Sequence, residues 1–290
     1  MIKPHWKEKA IRLTLLAAAS TSILIVALIF IFLGKEAVPF AEDPGLSNLA
    51  SADWVPVSFQ EEQFGLLPLI TGSLLVTLMA TIFTVPVGIG AAIYLAEIAT
   101  PKERAILKPI IELLAGIPSV VLGFFGLIVL APIVKAVFGL PTGLNAMTGS
   151  LLLALMAIPT VVSISEDAIQ SVPEAYKSAS LALGATRLQT LFRVTVPAAM
   201  SGIIAAVMLA MGRIVGETMA VMMVTGNAAK VTLDPTDSVR TMTATIAAEM
   251  GEVPVGSVHY HALFCVGVVL LLVTFLLNMV AQRALRGYQN

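Results

Sequence analysis

The 290-residue sequence predicts an all-α integral membrane protein with six transmembrane helices, and three observations predict it. Hydrophobic residues make up 58% of the chain and charged residues only 12%, whereas soluble domains carry roughly 45–50% and about 25%. Six apolar stretches are long enough to cross about 30 Å of hydrocarbon, which takes ~17–25 residues. These runs lack the ten-residue alternation of a membrane barrel, so they predict bundled helices. A net charge of −1 leaves no basic footprint for nucleic acid. The single cysteine, Cys265, excludes an intrachain disulfide.

The first span, Leu13 to Leu33, follows Lys3, Lys7, Lys9 and Arg12. It exceeds the 7–15 apolar residues of a signal peptide, which predicts a retained helix. Leu66 to Ala96 is the second span, with Pro68 near its start and Pro86 inside it. Leu113 to Val134 is the third, containing Pro118, and Leu144 to Ser165 is the fourth. Ala198 to Ala229 is the fifth, interrupted only by Arg213 and Glu217, and Ala262 to Ala281 is the sixth. Pro86 and Pro118 are candidates for kinks.

Lysine and arginine set the orientation. With the N-terminus inside, that side collects the four basic residues before the first span, then Lys102, Arg104 and Lys108. It also collects Lys177, Arg187, Arg193, Arg283 and Arg286, against Lys35, Lys135, Lys230 and Arg240 outside. Both termini are expected to be cytoplasmic. The division expected is 1–65, a first helix with an acidic extracytoplasmic segment, and 66–290, a core of five helices with a cytoplasmic loop at 166–197. Glu97 and Glu112 bracket the basic inside loop and read as solvated helix ends. His259 and His261 lack a third ligand at suitable spacing, so they read as surface residues and no metal site is expected.

The 166–197 loop is too patterned for a linker. Pro173 can open a helix at its first position, Ala175, Ala179 and Ala182 follow at helical spacing, and Gly184 offers a stop. Thr186 to Phe192 can form a second short helix before Pro197. Two short helices hinged at a glycine suit docking into a groove of a soluble partner, although an interfacial loop without a partner fits the pattern equally.

The intramembrane pair carries the chemistry. Arg213 sits 16 residues after Pro197 and 17 before Lys230, near mid-membrane. An arginine there costs ~2.5–3.5 kcal/mol on insertion scales, so it should face the bundle interior with a partner. Glu217, four residues on, should share its helix face. A guanidinium fork gives bidentate hydrogen bonds to an oxyanion at any accessible pH, and Ser119 and Thr218 could add hydroxyl donors. A salt bridge that merely pins helices is the alternative.

Four motifs in order then resemble a known family. Ser178-Ala179-Ser180, three residues, Gly184, nine residues, and Val194-Thr195-Val196-Pro197 is similar to the Glu-Ala-Ala…Gly…Ile-x-Leu-Pro coupling loop of ABC importer permeases. Ser178 stands where the family often has Glu, and Glu174 lies one helical turn earlier. YLAEIA at Tyr94–Ala99, LAGIPSVVLGFFGL at Leu114–Leu127 and GRIVGETMAV at Gly212–Val221 resemble the phosphate-specific branch, and Gly226-Asn227 its C-type subunit. The resemblance implies a type I importer bundle in a bacterial inner membrane. It implies a second, A-type permease, a dimer of ATPase subunits that binds ATP and Mg²⁺, an extracytoplasmic phosphate-binding protein, and surrounding lipid. Arg213 and Glu217 would line the phosphate path, with Thr218 and Ser119 beside them. Glu174, Ser178, Ala179, Gly184 and Pro197 would serve ATPase coupling. No G-x-x-x-x-G-K-[ST] loop occurs, so no cofactor and no enzymatic role are expected for this chain itself. A molybdate or sulfate permease, an A-type phosphate subunit, and a non-transporting sensor or scaffold remain alternatives.

Overall fold

The computed structural model describes residues 5–58 and 62–286. Lys3 of the basic N-terminal group lies outside the described residues, as do the side chains of Lys7 and Arg286. Among the described residues, six helical segments are long and apolar enough to cross a membrane. Helix α1 (His5–Phe40) leads to a two-stranded antiparallel hairpin, β1 (Trp54–Val55) with β2 (Gln63–Phe64). Helix α2 (Leu67–Ile93) carries Pro86 internally and runs through a wide π-type turn to Ile98. Helix α6 (Ala146–Gln170) is the most buried span. Helix α9 (Val196–Gly216) continues a helical run that begins at Arg187, and α12 (Val258–Arg286) closes the bundle.

Helices α2, α6 and α9 form the centre, sharing a cluster that includes Val76, Ala80, Leu153, Ala157, Val161 and Ile214. Without a hydrophobic driving force between helices in lipid, close packing over small residues supplies the contact. At Gly88 of α2, a Cβ would lie 2.7 Å from Val161 Cγ1 of α6, so no other residue fits that crossing unchanged. A second cluster near the hairpin joins Phe40, Trp54, Phe64, Met242 and Leu263. Helix α1 packs against α12, with Phe32 edge-on to Phe264 at 5.6 Å, while its flank from Ile11 to Phe32 stays largely exposed and apolar.

The structure moves several expected boundaries. Leu113 and Leu114 do not open the third span but close a separate helix, α3 (Pro101–Ala115). Thr100 caps α3 by accepting from Glu103 N, and Glu103 returns the bond. The main-chain N–H of Thr100 thereby holds the Glu103 carboxyl below its ordinary value. Pro118 does not kink the span; its extended backbone (φ −58°, ψ 138°) starts it. The span comprises α4 (Ser119–Phe125), a π-type turn at 126–130 and α5 (Ala131–Phe138). The fourth span does not end at Ser165, because Glu166 and Asp167 lie within α6.

Glu166 explains that extension. It is fully buried, yet Arg104 Nη2 lies 2.6 Å and Lys108 Nζ 3.1 Å from its carboxylate, and Gln170 Nε2 donates at 2.8 Å. A buried charge is tolerable only when paired, and here the pairing staples α3 to α6.

Candidate functional site

The fifth span breaks where sequence periodicity predicts continuity. Helix α9 stops at Gly216, Glu217 is extended (φ −70°, ψ 130°), and α10 (Met219–Val224) starts anew. Glu217 therefore does not share a helix face with Arg213. The i,i+4 relation requires helical torsions at every intervening step, and the glycine-led break removes them. No ion pair joins the two among the described residues.

Each side chain instead serves its own helix end. Arg213 lies in the last turn of α9, where the macrodipole favours a cation. Glu217 Oε1 accepts from Ala220 N at 3.3 Å, at the start of α10 where an anion is favoured. Thr218 Oγ1 donates to Gly216 O at 3.2 Å, and Thr243 Oγ1 donates to Glu217 O at 2.9 Å. Irregular backbone at membrane depth persists only where protein or a water-filled cavity surrounds it, and these side chains supply the surrounding polar groups.

Depth follows from the neighbours. Arg213 and Glu217 line one crevice with Leu153, Met156 and Ala157 of α6. Met156 falls about 15 Å along a helix of 25 residues, which spans roughly 37 Å. The break is therefore near mid-span. Arg213 itself is exposed on the flank of the isolated chain and makes no ion pair among the described residues.

Ser119 heads α4, which packs along α10: a Cβ at Gly123 would meet Ala220 Cα at 3.3 Å, and one at Gly126 would meet Val224 Cγ1 at 2.9 Å. This parallel pairing puts Ser119 one turn back, at the level of the break, and it is half-buried. The four path candidates thus share one level, though only Arg213 and Glu217 line the same crevice.

At the far end of α6 and α9, the predicted coupling residues form one protrusion. Pro173 is the N-cap of α7 (Glu174–Ala182), not its first helical residue. Gly184, at φ +88°, turns the chain in the left-handed region, where a side chain is strained. The expected second short helix is not separate. Helix α8 (Arg187–Thr190) passes through a π-type turn at 191–195 straight into α9, with Pro197 in its first turn. Ser178, Ala179 and Gly184 are exposed, and Leu183 is 90% exposed. Glu174 is exposed and lies 3.7 Å from Lys177.

Three residues read as solvated or superficial are neither. Glu97, in the π-type turn that follows α2, pairs with Lys177 Nζ at 2.6 Å and ties α7 to the second span. That hydrogen bond holds the Lys177 ammonium above its ordinary value. His259 belongs to α12, with Nε2 2.8 Å from Glu249 and its ring against Trp54 and Phe64; His261 Nδ1 lies 2.7 Å from Glu36 O. Among the described residues, no cluster of three His, Cys, Asp or Glu could hold a metal. Thr243 carries no sequence signal of its own because it lies between Arg240, expected outside, and the sixth span that begins at Ala262. The alternation Thr241-Met242-Thr243-Ala244-Thr245 was the available signal.

Residues 84–286 match the family described as binding-protein-dependent transport system inner membrane component. The chain belongs to that family. It is 40% identical to a probable ABC transporter permease protein, YqgH, of Bacillus subtilis, over 91% of this chain and 86% of the relative. It is 36% identical to the phosphate transport system permease protein PstC of Mesorhizobium japonicum, over 82% and 77%. The Xylella fastidiosa (strain Temecula1) protein of that name is 32% identical over 92% and 88%. In fold, the chain is similar to the inward-facing MetNI methionine ABC transporter (TM-score 0.60, 19% identity, 75% of this chain and 93% of that one). It is also similar to the bacterial alginate ABC transporter in complex with its pentasaccharide-bound periplasmic protein (TM-score 0.64, 19% identity, 95% of each).

Proposed function

We propose that this chain is the membrane-spanning permease subunit of an ATP-driven importer of inorganic phosphate. Arg213 carries the reading: a mid-span guanidinium, exposed on the chain's flank and ion-paired to nothing described, beside a broken helix. A charge at that depth marks a substrate path or a partner's charge, and the relatives called phosphate transport permeases favour the path.

In this reading, a second, A-type permease covers the flank that bears Arg213, and the two chains enclose the path. Arg213 engages phosphate through its planar fork, with Thr218 and Ser119 within the same layer. Glu217, fixed at the head of α10, adds negative charge near the site and keeps anion affinity low enough for release. The α7 end faces the cytoplasm, as do both termini, and the hairpin end faces the extracytoplasmic binding protein. An ATPase dimer, which binds ATP and Mg²⁺, grips the exposed Ser178–Leu183 surface. Its closure moves α7, and through Lys177–Glu97 and the continuous 187–216 helix it moves the walls around Arg213.

The test is phosphate uptake into vesicles containing the complete complex, with sulfate and molybdate as competitors. Wild type should transport phosphate and resist both competitors. Arg213→Gln should assemble normally yet lose uptake. Normal uptake in that variant refutes the assignment, and stronger competition by sulfate or molybdate reassigns the substrate.

A further inference from the structure

Helix α11 (Met242–Glu249) follows Arg240, which the charge bias places outside the membrane, yet its first residues are buried: Met242 and Thr245 are at 0% exposure and Thr243 at 8%. Each end is bonded to a different region. At the inner end, Met242 N donates to Ser73 Oγ of α2 at 2.9 Å, Thr241 and Thr243 share a hydroxyl bond at 3.2 Å, and Thr243 Oγ1 reaches Glu217 O. At the outer end, Glu249 gathers Trp54 Nε1 at 3.1 Å, Arg240 Nη1 at 2.6 Å and His259 Nε2 at 2.8 Å. Arg240 Nε also donates to Asn227 O at 3.0 Å, just beyond α10.

Eight residues of α-helix make a rod of about 12 Å. Its outer end thus joins the hairpin, the loop after α10 and the start of α12, and its inner end holds the carbonyl at the break. That carbonyl belongs to the residue next to Thr218 and four beyond Arg213. Packed interfaces hold discrete arrangements and do not deform continuously, so a shift of the Glu249 cluster carries α11 with it and changes the bond at Glu217.

We infer that α11 is the transmission strut through which docking of the binding protein on the outer face resets the intramembrane break, with Thr243 as its positioning residue. The strut rests on the function proposed above. It adds that the outer face signals to the anion site through the Thr243–Glu217 bond, separately from the α7 route to the ATPases.

The experiment uses the whole complex in lipid vesicles and compares ATP hydrolysis with and without phosphate-loaded binding protein. Thr243→Val keeps the shape and removes the donor. The expected result is a loss of stimulation of about fivefold or more, the lower range of an allosteric coupling, with unstimulated hydrolysis and assembly unchanged. Thr243→Ser, which restores the hydroxyl, should recover the stimulation. Full stimulation in Thr243→Val overturns the strut, and so does an equal loss in Thr243→Ser, which would mark a packing effect. If Thr243→Val does not assemble, Ser73→Ala, which frees Met242 N, is judged by the same criterion. A wild-type complex that ignores the loaded binding protein and takes up no phosphate refutes the proposed function itself. A responsive wild type matched by an equally responsive Thr243→Val refutes the strut alone.

Discussion

Glu166 and Arg213 are both ionisable residues within membrane-spanning helices, and the protein treats them in opposite ways. Glu166 is fully buried near the end of α6 and surrounded by Arg104, Lys108 and Gln170. Arg213 lies near mid-span, exposed on the flank and without an ion pair among the described residues. The lesson concerns what a charge is for. A buried charge flanked by two cations of a neighbouring helix holds two elements together. An unpaired one at membrane depth contributes little to the fold and remains available to an anion.

Substitutions should separate the two. The largest effect is expected from Arg213→Gln: uptake falls more than about 100-fold, at least ~2.7 kcal/mol in a barrier, while thermal unfolding of the purified complex barely moves. A large drop in melting temperature would place Arg213 with Glu166 as a structural charge. Glu166→Ala is the mirror experiment. Because Arg104 and Lys108 remain about a third exposed, the expected loss is about 2 kcal/mol, below the 3–5 of a fully buried pair. Uptake per assembled complex should hold, and a selective loss of transport would erase the distinction.

Gly184→Ala tests the protrusion in the same way. Forcing a side chain to φ +88° costs about 1 kcal/mol, and ATPase binding should weaken while phosphate binding does not. Measuring association of the ATPase with vesicles decides this. The smallest effect belongs to Asp237, which accepts from Lys230 Nζ and Thr232 Oγ1. The Lys230 bond, then the Thr232 bond, lowers its carboxyl from the ordinary 3.8. Its contribution is therefore complete above about that pH and is lost as pH falls through the lower folded value. Hydrogen exchange in the 230–238 loop should rise there in wild type and not in Asp237→Asn.

Much of the site was readable along the chain. Arg213 and Glu217 stand out because nothing else between Pro197 and Lys230 is charged. Gly184 announces its turn because glycine alone adopts that backbone without strain. The break at Glu217 was only half readable: Gly212 and Gly216 weaken a helix there, but apolar periodicity continues past them, and the donor from Thr243 that helps satisfy the interrupted backbone lies 26 residues later. Glu97 and His259 read as solvated because neither partner adjoins them in sequence: Lys177 lies 80 residues after Glu97, and Glu249 sits on a separate helix ten residues before His259.

By itself, then, the sequence determined that six apolar helices cross a membrane, that one carries a costly cation at its middle, and that a glycine-hinged segment connects two of them. These are local consequences of hydropathy, helix length and backbone freedom. Only the tertiary structure decided that Glu166 is a buried staple, that the fifth span breaks, and that α11 joins the outer cluster to that break. Each depends on which distant donors meet a polar group, and in a medium without water the partner determines where backbone and charge can lie.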